Sequence, residues 1–445
     1  MADIVLADAE FIIADADTVH RRATLTISDG LVAGIAPAGV APARGAAEAI
    51  DCRGLVLMPG LINAHTHLFQ VLTRGIGKHL EVREWMRAVT YPVARQLTAA
   101  EYRASVLLAC ADAIRNGCTA VVDHPTHYAR FHADESCRAI VESGLRGAVA
   151  RGGAERSLVD AGDVRPVEED AAAIEALAAK WAGHSRLRIW VGPSGLHACR
   201  PEGLKAFKRL AERLNTRFHI HIGESQKGHR EAVEEGYAGE TSIAFEHGLL
   251  DRNTSIAHAI WLTEAEIDRL AACGAQVVHC PTSNQILASG IAKIPEMLAR
   301  GVPVALGTDG ASSNDSTDIV AEMKACALLH RAQRLDAEAV SEKDAFRAAT
   351  LGGAAVLGDD RLGRLAPGYK ADIVGIKLAG NPSLTPCLDP LTAVVFYASG
   401  RDVSLVMVDG STLYRDGRFL TIDIDSVIAQ VDETARRLVA PRMAS

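Results

Sequence analysis

The sequence predicts an α/β protein, a (β/α)₈ TIM barrel with a small β-sandwich domain built from both chain ends. Three observations lead there. Eight short β-branched apolar runs in the middle of the chain alternate with longer stretches of helical periodicity, the signature of parallel βα units. Turn-punctuated β-rich segments occupy both flanks. The length, 445 residues, exceeds the roughly 250 of one such barrel and leaves room for one small companion domain.

Taken in order, the strand candidates are 57–65, 118–124, 145–152, 187–192, 218–223, 254–258, 275–279 and 303–307. Helical periodicity fills 99–116, 168–182, 201–214, 263–273 and 291–300, and glycine or asparagine often follows it, as at Asn116-Gly117 and Gly274, consistent with left-handed caps. Residues 80–97 are extra material before the first regular helix, where insertions wall the pocket of a barrel. On the flanks, 4–50 and 371–420 carry short strands and turns such as Ser28-Asp29-Gly30, Asp409-Gly410 and Asp416-Gly417. The expected division is therefore a composite β-sandwich from 1–57 and 366–425, a barrel over 58–365, and a C-terminal segment 426–445 that continues a helix over 424–438.

With 47 basic and 55 acidic residues, a net charge of −8 and no Lys/Arg run, the chain has no electrostatic footprint for nucleic acid and nothing to hold it on an anionic membrane. The first ten residues lack the basic head and apolar core of a secretory leader. No apolar run approaches the roughly 20 residues of a membrane span. Nine scattered cysteines without a CxxC pair fit a reducing, cytoplasmic setting better than a disulfide framework.

The sharpest local feature is Pro59-Gly60-Leu61-Ile62-Asn63-Ala64-His65-Thr66-His67. Two histidines spaced by two at the end of a strand send both rings to one side, and neutral imidazole suits zinc or iron(II). Alone, the pair has a second, lesser reading as a solvent-side His pair after a strand. The fifth strand, however, gives His219-Ile220-His221-Ile222-Gly223-Glu224, the sixth ends at His258, and the eighth ends Gly307-Thr308-Asp309-Gly310. If all strands aim at one mouth, His65, His67, His221 and Asp309 converge as three nitrogens and an oxygen, with a water completing an open site. Glu224 and His258 then stand beside it as proton-transfer groups. His219 shares the face of His221 but lies deeper, and is expected to be a hydrogen-bonded core residue.

In this order the motifs resemble the amidohydrolase superfamily, and within it the mononuclear deaminase and chlorohydrolase branch that acts on cytosine, guanine, 8-oxoguanine, isoxanthopterin, S-adenosylhomocysteine and triazines. The likeness spans nearly the whole chain. It includes His279-Cys280-Pro281-Thr282-Ser283-Asn284, Gly307 to Asp315, and Gly368-Tyr369-Lys370-Ala371-Asp372-Ile373-Val374. The resemblance implies that His65, His67, His221 and Asp309 hold one divalent metal, Zn2+ with Fe2+ as the alternative. It implies that Glu224 shuttles a proton to a ring nitrogen, and that His258 and Asp309 orient and deprotonate the water. Coordination lowers the water pKa toward about 7, and attack at the aminated carbon releases ammonia. The fourth strand, 187–194, has no lysine to bridge two metals, so one metal is expected.

For substrate contacts the expected residues are Gln70, Trp85, His124 and Asn314. Gln70 offers an amide donor and acceptor to a lactam edge, or is a polar residue at a helix start. Trp85 stacks on a flat ring or packs its own helix. His124 and His127 follow the second strand and His197 the fourth, lining the pocket or the surface; Ser313 and Asn314 face the mouth or cap a turn. S-adenosylhomocysteine and methylthioadenosine deaminases carry Pro-His where this chain has Pro193-Ser194, which tilts the expectation toward an oxopurine, pterin or triazine. The leading reading is a deaminase of a small aminated heterocycle, with a triazine-type chlorohydrolase or N-dealkylating hydrolase as its rival and a non-catalytic assembly protein as the remote alternative. Relatives of this kind are commonly oligomers, so a homo-oligomer is expected.

Overall fold

The computed structural model describes residues 4–39, 48–125, 129–157 and 164–440. Eight parallel strands follow one another around a single sheet: Leu61–Thr66, Cys118–Asp123, Arg146–Arg151, Leu187–Val191, Phe218–Ile222, Thr254–His258, Gln276–His279 and Val304–Leu306. The exit of the last returns to the first, where the Asp309 N–H donates to the His65 carbonyl at 3.0 Å. Helices cover the outside. In Ala99–Arg115 a Thr98/Glu101 capping box satisfies the first turn, and Tyr102, Val106, Cys110 and Ala113 face the barrel, an apolar stripe at helical spacing. The helix expected over 291–300 begins later, as Ile294–Ala299, with proline in its first turn.

Both chain ends build the second sheet. It has nine strands: Ile4–Asp15, Thr18–Ser28, Leu31–Pro37, Glu48–Asp51 and Leu55–Pro59 from the N-terminal side, and Ile373–Lys377, Val403–Val408, Ser411–Arg415 and Arg418–Phe419 from the C-terminal side. Ile373–Lys377 joins the two halves by pairing antiparallel with Leu55–Pro59. The run read from sequence as one strand over 57–65 is thus two strands in two sheets. Gly60 is where they part: its N–H donates to Asp372 O at 2.9 Å, and a Cβ there would lie 2.1 Å from Thr119 Oγ1.

The sequence-expected final helix is Ile424–Leu438. The insertion after the first barrel strand forms short helical segments, among them Val82–Trp85 and Tyr91–Ala94, whose Val82, Trp85 and Val89 pack on Leu287. Among the described residues no helix is long and apolar enough to cross a membrane.

Candidate active site

The first barrel strand aims its histidines by a bulge. Ile62 and Ala64 sit in apolar clusters with Ala120, Val122, Ala148 and Trp190. A register shift between Asn63 and Thr66 against the second strand then turns the chain so that His65 and His67 both face the mouth, a common use of bulges beside active sites. The fifth strand needs no such device. Phe218, Ile220 and Ile222 pack into the outer core, leaving His219 and His221 on the opposite face.

The ring nitrogens converge. His67 Nε2 lies 3.4 Å from His221 Nε2 and 3.1 Å from Asp309 Oδ1, and His65 Nε2 lies 3.4 Å from the same carboxylate oxygen. Metal bonds of about 2.0–2.1 Å in tetrahedral geometry set ligand atoms about 3.3–3.4 Å apart, so these separations fit one divalent cation. The outer nitrogens fix the rings. His67 Nδ1 donates to His124 O at 2.6 Å, His221 Nδ1 to Ser194 O at 2.7 Å, and His65 Nδ1 faces His219 Nε2 at 2.7 Å. His219 Nδ1 in turn meets Ser255 Oγ at 2.7 Å. The two carbonyl contacts place the lone pairs of His67 and His221 Nε2 toward the centre, the tautomer that a metal-binding histidine needs, and the His219 contact permits the same for His65. Within the protein alone, His65 Nε2 is a buried nitrogen with no hydrogen-bond partner.

Electrostatics agree. Burial pushes the His65 imidazole down to about 4 and that of His221 well below its usual value, so both are neutral. Burial opposes charge on His67 too, but the Asp309 carboxylate outweighs it and raises that imidazole. Burial alone would raise Asp309; the His65 and His67 rings against its Oδ1 prevail and hold it well below the usual carboxylate range. Its other oxygen, Oδ2, accepts from Ser283 Oγ at 2.6 Å and Ser313 Oγ at 2.8 Å, which keeps Oδ1 on the histidine side.

Glu224 and His258 stand next to this cluster, His258 Nε2 3.8 Å from Glu224 Oε1, too far for a direct hydrogen bond. His258 Nδ1 is anchored to Asn284 Oδ1 at 2.9 Å. Burial raises the Glu224 carboxyl, with His258 opposing. The turn that presents Glu224 is held by Glu240, which accepts the Gly223 N–H at 2.7 Å and is itself pushed up to about 7 by burial. His258 and Asp309 both adopt left-handed backbone, φ +73° and +60°, a strain of about 1–3 kcal/mol each that clusters at functional sites.

His67, Gln70, Val82, Trp85, Met86, Ser194, His197, His221, Glu224, His258 and Asp309 line one narrow cavity, concave and with a few polar groups converging on it, as small-molecule sites are. Of the four expected substrate contacts, Gln70 and Trp85 reach it. His124 and Asn314 do not. His124 Nε2 is turned to Gly192 O at 2.7 Å, behind the metal-facing rings, and Asn314 Nδ2 donates to Thr308 O and Glu322 Oε1 at 2.8 and 3.0 Å, behind the loop of Asp309. Both are buried, with His124 Nε2 and Asn314 Nδ2 committed to protein oxygens. His127 lies outside the described residues.

Sequence reasoning missed Ser255, Glu240 and Glu322. Glu322 carried a usable signal, because it falls on the same helical stripe as Ile319, Met323, Cys326 and His330, all buried. A second imidazole pair, His279 and His330 with Nε2 atoms 3.3 Å apart, lies near Cys326 on the outer side of the barrel. No hydrogen bond fixes His279 Nδ1, unlike every ligand-like histidine at the mouth, and we read that group as a buried imidazole pair.

The model described as the amidohydrolase family matches residues 56–413. The 5-methylthioadenosine/S-adenosylhomocysteine deaminase of Nitratidesulfovibrio vulgaris is 36% identical, covering 98% of this chain and 97% of its own. The 5'-deoxyadenosine deaminase of Methanosarcina mazei is 35% identical over 99% of each chain. Among solved structures, an adenosine deaminase from Xanthomonas campestris with bound zinc is similar at 27% identity and a TM-score of 0.91, with 98% of each chain covered. The chain belongs to the amidohydrolase family and is a hydrolase of its deaminase branch.

Proposed function

We propose that the protein hydrolytically deaminates the adenine ring of a nucleoside, water and the 6-amino compound giving ammonia and the 6-oxo compound. The observation that carries this reading is the convergence of three anchored imidazoles and one carboxylate beside a buried Glu224 and His258 on a single cavity. A divalent cation held by His65, His67, His221 and Asp309, zinc by its donor set, would supply Lewis acidity and bring the pKa of a water toward about 7.

The protein's own groups divide the remaining work. Asp309, its Oδ2 held by two serine hydroxyls, keeps Oδ1 toward the cluster and accepts a proton from the reacting water, while His258, fixed through Nδ1 by Asn284, orients that water through Nε2. Glu224, whose carboxyl burial raises, delivers a proton to the ring nitrogen next to the aminated carbon, so that the carbon can accept the oxygen. Collapse of the tetrahedral carbon then breaks the C–N bond: the proton held by Asp309 passes to the amino nitrogen, which leaves as ammonia, and the remaining hydroxyl proton passes to Glu224 and restores its acid form. Gln70 offers an amide to the ring edge. Trp85 adds an indole wall to the cavity.

The substrate class rests on the relatives, named for adenosine-type compounds at 35–36% identity over nearly their full length. They outweigh the tilt toward oxopurines, pterins and triazines drawn from Pro193-Ser194. Local geometry supports the same correction: His197, three residues past Ser194, also lines the cavity, so an imidazole still enters from the fourth strand's loop. Nine unpaired cysteines support a reducing, cytoplasmic setting.

The test is ammonia release by zinc-loaded protein from 5′-deoxyadenosine, 5′-methylthioadenosine, S-adenosylhomocysteine and adenosine, beside guanine, 8-oxoguanine, isoxanthopterin and aminotriazines. Fastest turnover is expected among the adenine nucleosides. Preferential release from any of the other rings would overturn the substrate class, and silence across the panel with metal bound would overturn deamination.

A further inference from the structure

One buried side chain that takes no part in the proposed chemistry touches the loops that aim it. Glu322, 1% exposed, sits on the helix Ile319–Arg334. Its Oε1 accepts from Asn314 Nδ2 at 3.0 Å and its Oε2 from the Thr282 backbone N–H at 3.2 Å. These two contacts flank three aiming side chains. Ser283 follows Thr282 and donates to Asp309 Oδ2 at 2.6 Å; Asn284 comes next and anchors His258 Nδ1 at 2.9 Å. Ser313 precedes Asn314 and donates to the same Asp309 oxygen at 2.8 Å. Asn314 also donates to Thr308 O at 2.8 Å, one residue before Asp309.

We propose that Glu322 is a positioning residue, clamping the loops after the seventh and eighth strands together so that Asp309 and His258 keep their aim. The inference rests on the deaminase reading for its kinetic consequence, not for its geometric one. The two loops come from different strands, and Glu322 accepts from both while standing on a third element, the helix Ile319–Arg334. Without it, the Thr282 N–H loses its acceptor and Asn314 Nδ2 keeps only Thr308 O, and the serines that set Asp309's orientation are left on loops free to shift. A catalytic group must be held within about 0.5 Å of its productive position, so small shifts suffice.

The experiment compares wild type, Glu322→Ala and Glu322→Gln for kcat and KM on 5′-deoxyadenosine, bound zinc, and the visible spectrum of the cobalt(II)-loaded protein, which responds to how Asp309 is presented. In Glu322→Ala, kcat is expected to fall about 10–100-fold, the usual cost of losing an outer partner of a metal site. KM stays within about twofold, zinc remains stoichiometric and the cobalt band shifts. Glu322→Gln keeps one acceptor oxygen and recovers part of kcat. If the alanine variant does not fold, the glutamine variant decides alone by the same split between kcat and KM and the same spectral shift. An unchanged kcat and cobalt band in a folded variant overturns the proposal, as does a loss in which zinc content and KM deteriorate together with kcat. The spectrum needs no turnover, so it still decides the role of Glu322 if the wild type deaminates nothing in the panel and the proposed function fails.

Discussion

At the scale of single residues, Glu224 and Asp309 are two buried carboxyls whose surroundings drive their pKa values apart. Burial raises Glu224, whereas His65 and His67 hold Asp309 low, the pattern that separates an acid from a base within one site. Glu224→Gln keeps the shape and removes the proton; it should retain metal while kcat drops by about 10²–10⁴, read by paired turnover and metal analysis. The sign of the pH dependence follows. The acid form must be present, so kcat/KM should fall as pH rises through the elevated Glu224 pKa, and a wild-type profile flat on its alkaline side would refute the acid role. His219 acts one layer back, linking His65 Nδ1 to Ser255 Oγ. Ser255→Ala should therefore weaken metal affinity by about tenfold, measured by competition with a chelator. The histidines and Asp309 were legible in the sequence because strand ends with period-two spacing announce themselves. Ser255 was not, because a serine two residues into a strand looks like any other core hydroxyl.

At the scale of elements, strand ends carry the chemistry and glycines let the loops close over it. Gly310 follows Asp309 with φ −72°, a conformation open to any residue, yet a Cβ there would lie 1.6 Å from Gln70 Oε1. Gly310→Ala is expected to push Gln70 out of the cavity and raise KM with the fold intact, and Gly310→Ala with Gln70→Ala should do no further harm than Gln70→Ala alone. Additive losses in the double variant would show that the methyl acts elsewhere. All eight barrel strands were readable within a few residues from their β-branched runs. What could not be read were the departures caused by tertiary contact: the split at Gly60, imposed by Thr119, and the bulge after Asn63. His124 and Asn314 misled for a related reason. Sequence places them at the mouth, but only the packed structure shows their polar atoms turned to Gly192 O, Thr308 O and Glu322.

At the scale of the whole molecule, two sheets built from interleaved stretches of chain must hold one another in place, and a buried cation does so at the end of the barrel remote from the site. Arg146 opens the third barrel strand. Its guanidinium donates to Asp372 through Nε and NH2, each at 3.1 Å, and to Asp409 at 2.5 Å, while Arg186 joins Asp409 at 2.8 Å. Asp372 in turn lies at the crossover, its carbonyl accepting from Gly60. The pairing was invisible in sequence because its members are 226 and 263 residues apart. Removing one partner of a buried pair leaves uncompensated charge, costing about 3–5 kcal/mol. Arg146→Ala should lose that much stability to denaturant while the folded enzyme keeps its kcat, since the site lies at the opposite, C-terminal ends of the strands. Arg146→Lys should restore only part, because an ammonium cannot reproduce the two-pronged contact with Asp372. A loss below about 1 kcal/mol in Arg146→Ala would mean the network is as weak as an exposed ion pair, and that the sheets are held together by their apolar contact alone.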